Sequence, residues 1–180
     1  NNGWYTSNVR LSPSKEAKAF GYFEIALIEN GSDGDFGSEV VLSKDTTGIR
    51  PTVKLKKKDS EEISKAKQIG TRIKIDKEKP IIETINIPSG WVTTSKQIKI
   101  QASDKISGID SVKVSYKNAS GNNEEISVTN TGGGSFQFDA MKNGTYVFTV
   151  MDKAGNKQET TRAIQGIDTA GSIEAILADN

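Results

Sequence analysis

Residues 97–102 are Gln-Ile-Lys-Ile-Gln-Ala, a strict alternation of polar and apolar side chains. A period of two is typical of a β-strand that buries one face and exposes the other. We therefore predict that Ile98, Ile100 and Ala102 line a core, and that the residues between them face water.

The same alternation recurs further along the chain. It is present in residues 112–116, where Val112, Val114 and Tyr116 alternate with polar residues. A similar period places Tyr146, Phe148 and Val150 on one face, with Thr145 and Thr149 on the other. Glycine and asparagine, which tolerate positive φ, punctuate these stretches, as at Asn143-Gly144. Short alternating strands separated by turns predict an antiparallel sandwich rather than βαβ units.

An internal repeat predicts the domain organisation. Gly3-Trp4-Tyr5 recurs as Gly90-Trp91-Val92, and Ile75-Asp76 recurs as Ile167-Asp168. The two copies of each motif lie slightly less than 100 residues apart, and about 100 residues is the size of one immunoglobulin-type sandwich. The chain is thus predicted to be all-β, with two tandem Ig-like antiparallel β-sandwiches.

The boundaries are set by the repeat and by Lys77-Glu78-Lys79-Pro80, where proline begins a new extended segment. We predict one sandwich over residues 1–76, a second over 77–168, and the start of a further repeat or an orphan strand over 169–180. Residues 59–68, with little apolar content, are predicted to form a long hairpin loop rather than a helix.

The first sandwich is predicted to lack its own first strand. An extended segment at residues 81–87 precedes Gly90, whereas only two residues precede Gly3. Conversely, Ser172 to Leu177 aligns with residues 81–87 and has no sandwich after it. We expect the chain to be an internal piece of a longer protein, and Ser172 to Leu177 to support head-to-tail self-association by filling the vacancy in a neighbouring molecule.

Composition excludes several functional classes. The 180 residues include no Cys and no His, and 24 Lys and Arg against 23 Asp and Glu give a net charge of +1. This even balance provides no strong field for nucleic acid, and no apolar stretch approaches the roughly 20 residues that span a bilayer. Without His or Cys, and with serines in polar turns, the chain is predicted not to be an enzyme.

The second sandwich carries a set of motifs in a fixed order. They are Ala102-Ser103-Asp104, Ser107-Gly108-Ile109, Asn143-Gly144-Thr145-Tyr146 and Asp152-Lys153-Ala154-Gly155-Asn156. Together they resemble the bacterial Ig-like repeats of cell-surface proteins in Gram-positive bacteria, over all of the second sandwich and part of the first. The resemblance implies an extracellular, cell-wall or cell-surface location and a non-catalytic stalk or spacer role in a larger protein.

Two other functions and one other fold assignment stay open. The chain could be an adhesin or carbohydrate-binding module, in which the loops at residues 118–123 and 132–135 contact host proteins, glycans or a cell-wall polymer. It could also be an accessory domain of a secreted hydrolase. The segment 1–76 also resembles the tail of lectin-like surface domains.

One candidate metal site emerges from the sandwich topology. The loop between the second and third strands and the loop between the last two strands lie at the end where the chain enters. Asp104, Asp152 and Asn156 would then approach Asp76, and their oxygen atoms suit calcium. The competing interpretation, which we favour, is that Asp104 and Asp152 cap tight turns, so that the chain needs no cofactor.

Trp4 and Trp91 occupy matched positions in the two repeats. Exposed indole rings could stack on sugars, but the matched positions favour a structural role at the edge of each core.

Overall fold

A computed structural model describes residues 3–118 and 121–168. The chain divides into two compact units, the first containing residues up to Glu78 together with Lys153–Asn156, and the second containing Lys79–Asp152 and the chain from Lys157 onward. The fold is almost entirely β, with antiparallel sheets, as predicted. Among the described residues, no helix has the length and apolar character needed to span a bilayer.

The second unit contains eight strands. They are β10 (Ile81–Asn86), β11 (Lys96–Ser103), β12 (Ile109–Lys117), β13 (Asn123–Ile126), β14 (Thr129–Gly132), β15 (Ser135–Ala140), β16 (Gly144–Asp152) and β17 (Lys157–Ile164). They form two four-stranded sheets, in the orders β10-β11-β15-β14 and β13-β12-β16-β17. Lettered along the chain, these orders are A-B-E-D and C′-C-F-G, the arrangement of immunoglobulin-type sandwiches.

The alternating residues supply the core of this unit. Ile98, Ile100 and Ala102 are buried, as are Val112 and Val114, so the period-two prediction is confirmed. The rings of Phe138, Tyr146 and Phe148 pack between the sheets at centroid distances of 5.8 and 5.9 Å. Each such buried side chain contributes about 1.5–3 kcal/mol by leaving water.

Tyr146 lies near the start of β16 and donates its hydroxyl to the carbonyl of Lys142, four residues upstream, at 2.7 Å. A tyrosine at this corner, bonded to the backbone just before it, is a hallmark of immunoglobulin-type sandwiches. The sequence Asn143-Gly144-Thr145-Tyr146 predicts the turn but not the partner of the tyrosine hydroxyl.

The first unit is built from shorter elements. They are β1 (Trp4–Tyr5), β2 (Val9–Leu11), α1 (Lys15–Ala19), β3 (Tyr22–Glu29), β4 (Ser32–Asp33), β5 (Val40–Leu42), β6 (Thr46–Ile49), β7 (Thr52–Lys57), β8 (Lys67–Gln68) and β9 (Ile73–Ile75). Their sheets have the orders β1-β9-β6, β4-β3-β7-β8 and β2-β5. The buried cluster is small, formed by Leu42, Ile73 and Ile75.

The two-stranded sheet of the first unit matches part of a four-stranded sheet of the second. Val9 at the start of β2 pairs with Leu42 at the end of β5, just as Lys96 at the start of β11 pairs with Ala140 at the end of β15. In the described ranges β10 lies beside β11, but no strand lies beside β2 on its other side. The absence of a first strand from this unit stays a prediction.

The helix α1 is a correction to the sequence prediction, which treated this unit as β throughout. Ser14 begins it, and its hydroxyl accepts the Ala17 backbone N–H at 3.2 Å. Glu16 lies in the first turn, where the helix dipole favours a negative charge. Residues 59–68 contain no helix, and β8 pairs with β7 as a hairpin, as predicted.

The repeated Gly-Trp segments have the same role in both units. In the first, β1 runs parallel to β9, with Tyr5 opposite Ile75. In the second, Val92 forms a parallel bridge with Ile167. The backbone N–H groups of Asp76 and Asp168 donate to the carbonyls of Tyr5 and Val92 at 2.9 and 2.8 Å. The sequence repeat is therefore a repeat of structure.

Candidate functional site

Asp104 organises the turn that joins β11 to β12. Its Oδ1 accepts the backbone N–H groups of Ile106, Ser107 and Gly108 at 3.1, 2.8 and 2.7 Å, and the Ser107 hydroxyl at 3.4 Å. This carboxylate oxygen gives the three backbone amides an acceptor that the backbone of the tight turn does not supply. The side chain thus has the turn-capping role that the sequence suggested.

Asp152 ends β16 in the same unit, opposite Ile109, and its side chain is buried. Carboxylate oxygens of Asp104 and Asp152 lie within 4.8 Å of each other. The topology thus brings together the two loops that the sequence placed at one end of the sandwich. Two carboxylates at this separation repel each other unless hydrogen-bond donors or a cation compensate, and for Asp104 the backbone amides are such donors.

The other two predicted ligands, Asp76 and Asn156, fall in the first unit. Asp76 follows β9 and is fully buried, and its Oδ1 accepts the Glu78 N–H at 3.1 Å. The Asn156 side chain donates Nδ2–H to the Asp76 carbonyl at 3.0 Å. Asn156 therefore holds the backbone at Asp76 through its amide nitrogen. Calcium binding by Asp76, Asp104, Asp152 and Asn156 stays a prediction.

The matched tryptophans differ in their surroundings. The Lys74 ammonium lies over the Trp4 ring, 5.1 Å from its centroid, in a cation–π contact. The place of Lys74 is taken in the second unit by Gly166, and Trp91 is 79% exposed. The predicted packing role is therefore wrong for Trp91, because glycine at this position offers no side chain to cover the ring.

A buried lysine fixes the backbone beside Trp91. Lys96 is almost completely buried, and its ammonium donates to the carbonyls of Gly90 and Pro88 at 2.6 and 3.1 Å. Gly166 is required here, since it has φ +78° and an added Cβ would lie 2.6 Å from the Gly90 oxygen. The exposed indole thus projects from a well-anchored segment, which composition alone did not indicate.

The two loops proposed for adhesion have different character. The Gly132-Gly133-Gly134 turn joins β14 to β15, and Asn118 closes the other loop by accepting the Asn122 N–H at 2.9 Å. Among the described residues of these loops, none is an exposed aromatic. The exposed aromatic of this unit, Trp91, instead lies by the start of β11, whereas Gly134 lies by Ala102 near its end.

The clearest electrostatic cluster lies on the surface of the first unit. The Lys57 ammonium contacts Glu62 at 2.7 Å and lies 5.5 Å from the centre of the Tyr22 ring, whose hydroxyl donates to Glu62 at 3.1 Å. The hydrogen bonds from Lys57 and Tyr22 lower the pKa of Glu62, and the bond to Glu62 raises the pKa of Lys57. Each shift favours the charged form, which is the behaviour of an ion pair rather than of a proton-transfer site.

No protein-family model matches the chain. No curated protein matches it significantly either.

Proposed function

We propose that the chain is a non-catalytic spacer from the extracellular part of a larger bacterial surface protein. The observation that carries the proposal is where the chain enters and leaves the second unit. Ile81, at the start of β10, pairs with Ser103 at the end of β11. Ile167 pairs with Val92, just before the start of β11. The chain therefore enters at one end of the strands and leaves at the other.

This arrangement extends the chain along the strands. A strand of eight residues is about 26 Å long, so the unit holds its point of entry and its point of exit about that distance apart. Because tension between the two ends acts along the strands, the sheet hydrogen bonds would be loaded in shear and would share the force. A spacer needs this property, whereas a site for a small ligand does not.

The complete hydrogen bonding of buried polar side chains supports the same function. Among the described residues, every buried side-chain nitrogen or oxygen has a hydrogen-bond partner. Buried polar groups that are all paired favour a rigid, single conformation. The largest buried side chains here, Tyr146 and Phe148, belong to the packed core.

Single-molecule stretching of the 180-residue chain tests the spacer proposal. Unfolding of residues 79–168, about 90 residues at roughly 3.4 Å each, should lengthen the chain by about 280 Å after subtracting about 25 Å of folded length. We expect a distinct force peak for this step. Extension without a peak would contradict a load-bearing role.

Trp91 supports a second candidate function, binding of a carbohydrate. An exposed, rigidly held indole is an aromatic platform of the kind that ligand sites use for apolar contact, with nearby polar groups for orientation. Gln165 and Ser89 line the same surface groove as Trp91. Screening of wild type and Trp91→Ala against glycans and cell-wall polymer separates the two functions: binding lost in the variant would favour the carbohydrate site, and no binding by either would favour the spacer.

A further inference from the structure

The strand β17 forms an open edge of the second unit. It is eight residues long and, in the described part of the chain, pairs only with β16. In an antiparallel pair, alternate residues direct their N–H and C=O groups away from the partner, so about four residues of β17 direct backbone groups away from β16. Within β17, the Gln158 and Arg162 side chains donate to the carbonyls of Glu159 and Thr161 at 3.2 and 2.8 Å. A row of such groups is a template for another strand.

A groove lies beside this edge, between β17 and the start of β10. Ile81 and Ile82 line its β10 side with Lys79, and Thr160 and Arg162 line its β17 side. Ile81 is 52% exposed, which leaves apolar surface open to a guest side chain. Among the described residues that line the groove, two are cationic and none is acidic. The groove therefore suits a strand that carries both apolar and acidic side chains.

The chain itself forms an isolated parallel bridge beyond the end of β17. Beyond β17, Val92 donates its N–H to the Gly166 carbonyl at 2.9 Å and accepts the Asp168 N–H at 2.8 Å. The segment after β17 thus pairs with extended backbone on one side, although Gly166 in it has φ +78°. In the described chain no strand pairs with the eight residues of β17 on the side away from β16.

We propose that the β17 edge binds residues 172–177 of a second copy of this chain. Their sequence is Ser-Ile-Glu-Ala-Ile-Leu, and they lie outside the described residues. In an extended strand Ser172, Glu174 and Ile176 share one face. Paired to β17 with that face towards the groove, the segment would bring a carboxylate to Lys79 and Arg162 and an isoleucine to Ile81 and Ile82. Six residues also fit within the eight of β17.

The alternative acceptor is the vacant side of β2, where the sequence placed this segment. That strand has three residues and is followed by Pro13, which has no backbone N–H to donate, and by α1. In the second unit β10 pairs with residues 99–103 of β11, whose counterparts by the repeat are residues 12–16. Since these counterparts include Pro13 and the start of α1, β2 offers a much shorter ladder than β17.

Charge-reversal variants of the full chain test the proposal, with association measured by sedimentation equilibrium. The concentration should reach about 1 mM, because pairing through one short strand supports only weak association. We expect mass to rise with concentration for wild type. Arg162→Glu and Glu174→Lys should each weaken association by roughly tenfold or more, and the double variant should recover it. Lys117→Glu, an exposed cation on β12, is the matched control and should associate like wild type. Ala175→Pro, which removes a donor from the guest strand, should abolish association.

Three results would overturn the proposal. A wild-type chain that stays monomeric throughout the range is the first. Association that survives Ala175→Pro would show that another surface is used. Association that is lost in Ala175→Pro but unaffected by Arg162→Glu would place the guest strand at another edge, such as that of β2.

Discussion

The side chain of Asn143 holds the backbone of Ile167 by both of its polar groups. Its Nδ2–H donates to the Ile167 carbonyl at 2.6 Å, and its Oδ1 accepts the Ile167 N–H at 2.8 Å. The flanking Gly166 and Asp168 bond instead to the backbone of Val92. In this segment the Asn143 side chain therefore holds Ile167, and the backbone of Val92 holds the residues on either side of it.

We predict that Asn143→Ala lowers the free energy of unfolding of the second unit by about 1–3 kcal/mol. The variant loses two hydrogen bonds and leaves the Ile167 backbone groups without their side-chain partner. Asn143→Asp should cost at least as much, because a carboxylate cannot donate to the Ile167 carbonyl. Denaturant titration measures the difference. Asn123→Ala, at an exposed position at the start of β13, is the control and should stay within about 0.5 kcal/mol of wild type.

The parallel bridge at Val92 gives a second prediction. Val92→Pro removes the N–H that donates to Gly166, and we expect it to lower the unfolding free energy by about 1–2 kcal/mol more than Val92→Ala, which keeps the N–H. The bridge lies between the two points where tension acts, so the force peak in stretching should fall as well. Equal effects of proline and alanine would mean that the side chain, not the bridge, stabilises this segment.

The sequence predicted the second unit well because its strands are long and its two faces differ. Ile98 and Phe148 lie on alternating strands whose inward residues are all buried. In the first unit, strands such as β2 have three residues, too few for a period to be distinguished from chance. The sequence does not predict the helix α1, because the helix has no buried residue and its clearest local signal is the cap at Ser14.

The candidate site was predictable only where local chemistry determines it. The turn at Asp104 arises from an aspartate placed two to four residues before amides that need an acceptor. The exposure of Trp91 depends on Gly166, which is distant in sequence and lies opposite only because the two segments pair in parallel. Because Trp91 aligns with Trp4, the repeat predicts the same surroundings for both rings. It does not indicate that a glycine stands where Lys74 covers the ring in the first unit.

For Asp104 we predict a graded loss of stability. Asp104→Ala leaves three turn amides without their acceptor and should lower the unfolding free energy by about 2–4 kcal/mol, whereas Asp104→Asn keeps an oxygen acceptor and should lose about half as much. Thermal and denaturant unfolding measure both. A loss in Asp104→Asn equal to that in Asp104→Ala would show that the charge matters more than the bonds.

Calcium is tested by the same unfolding measurements. We expect the melting temperature to be the same in calcium and in chelator, because Oδ1 of Asp104 already accepts the backbone N–H groups of the turn and is not free to bind a cation. A cation that binds the folded chain at about 100 times its Kd would add about 2.7 kcal/mol, a readily measured shift. A calcium-dependent increase that disappears in Asp152→Asn would establish the metal site and contradict this expectation.

The hydroxyl of Tyr146 links stability to alkaline pH. Burial of the ring raises the pKa of Tyr146, with a smaller contribution from Tyr116. The hydroxyl can donate to the Lys142 carbonyl only while it is protonated, which also disfavours loss of the proton. The folded state therefore keeps its proton at pH values where the unfolded state, with a pKa near 10, has lost it. The contribution of Tyr146 to stability should be constant below about pH 9 and should fall as pH rises through 10 towards the folded pKa.

Tyr146→Phe isolates this effect. At neutral pH the variant should lose about 0.5–1.5 kcal/mol, the net value of the bond to Lys142, because phenylalanine fills the same space. Above pH 10 its stability should decline less steeply than that of wild type, so that the two denaturant midpoints converge. Tyr5→Phe, at an exposed tyrosine of the first unit, is the control and should leave the alkaline slope unchanged. Parallel declines for Tyr146→Phe and wild type would mean that other groups cause the alkaline loss of stability.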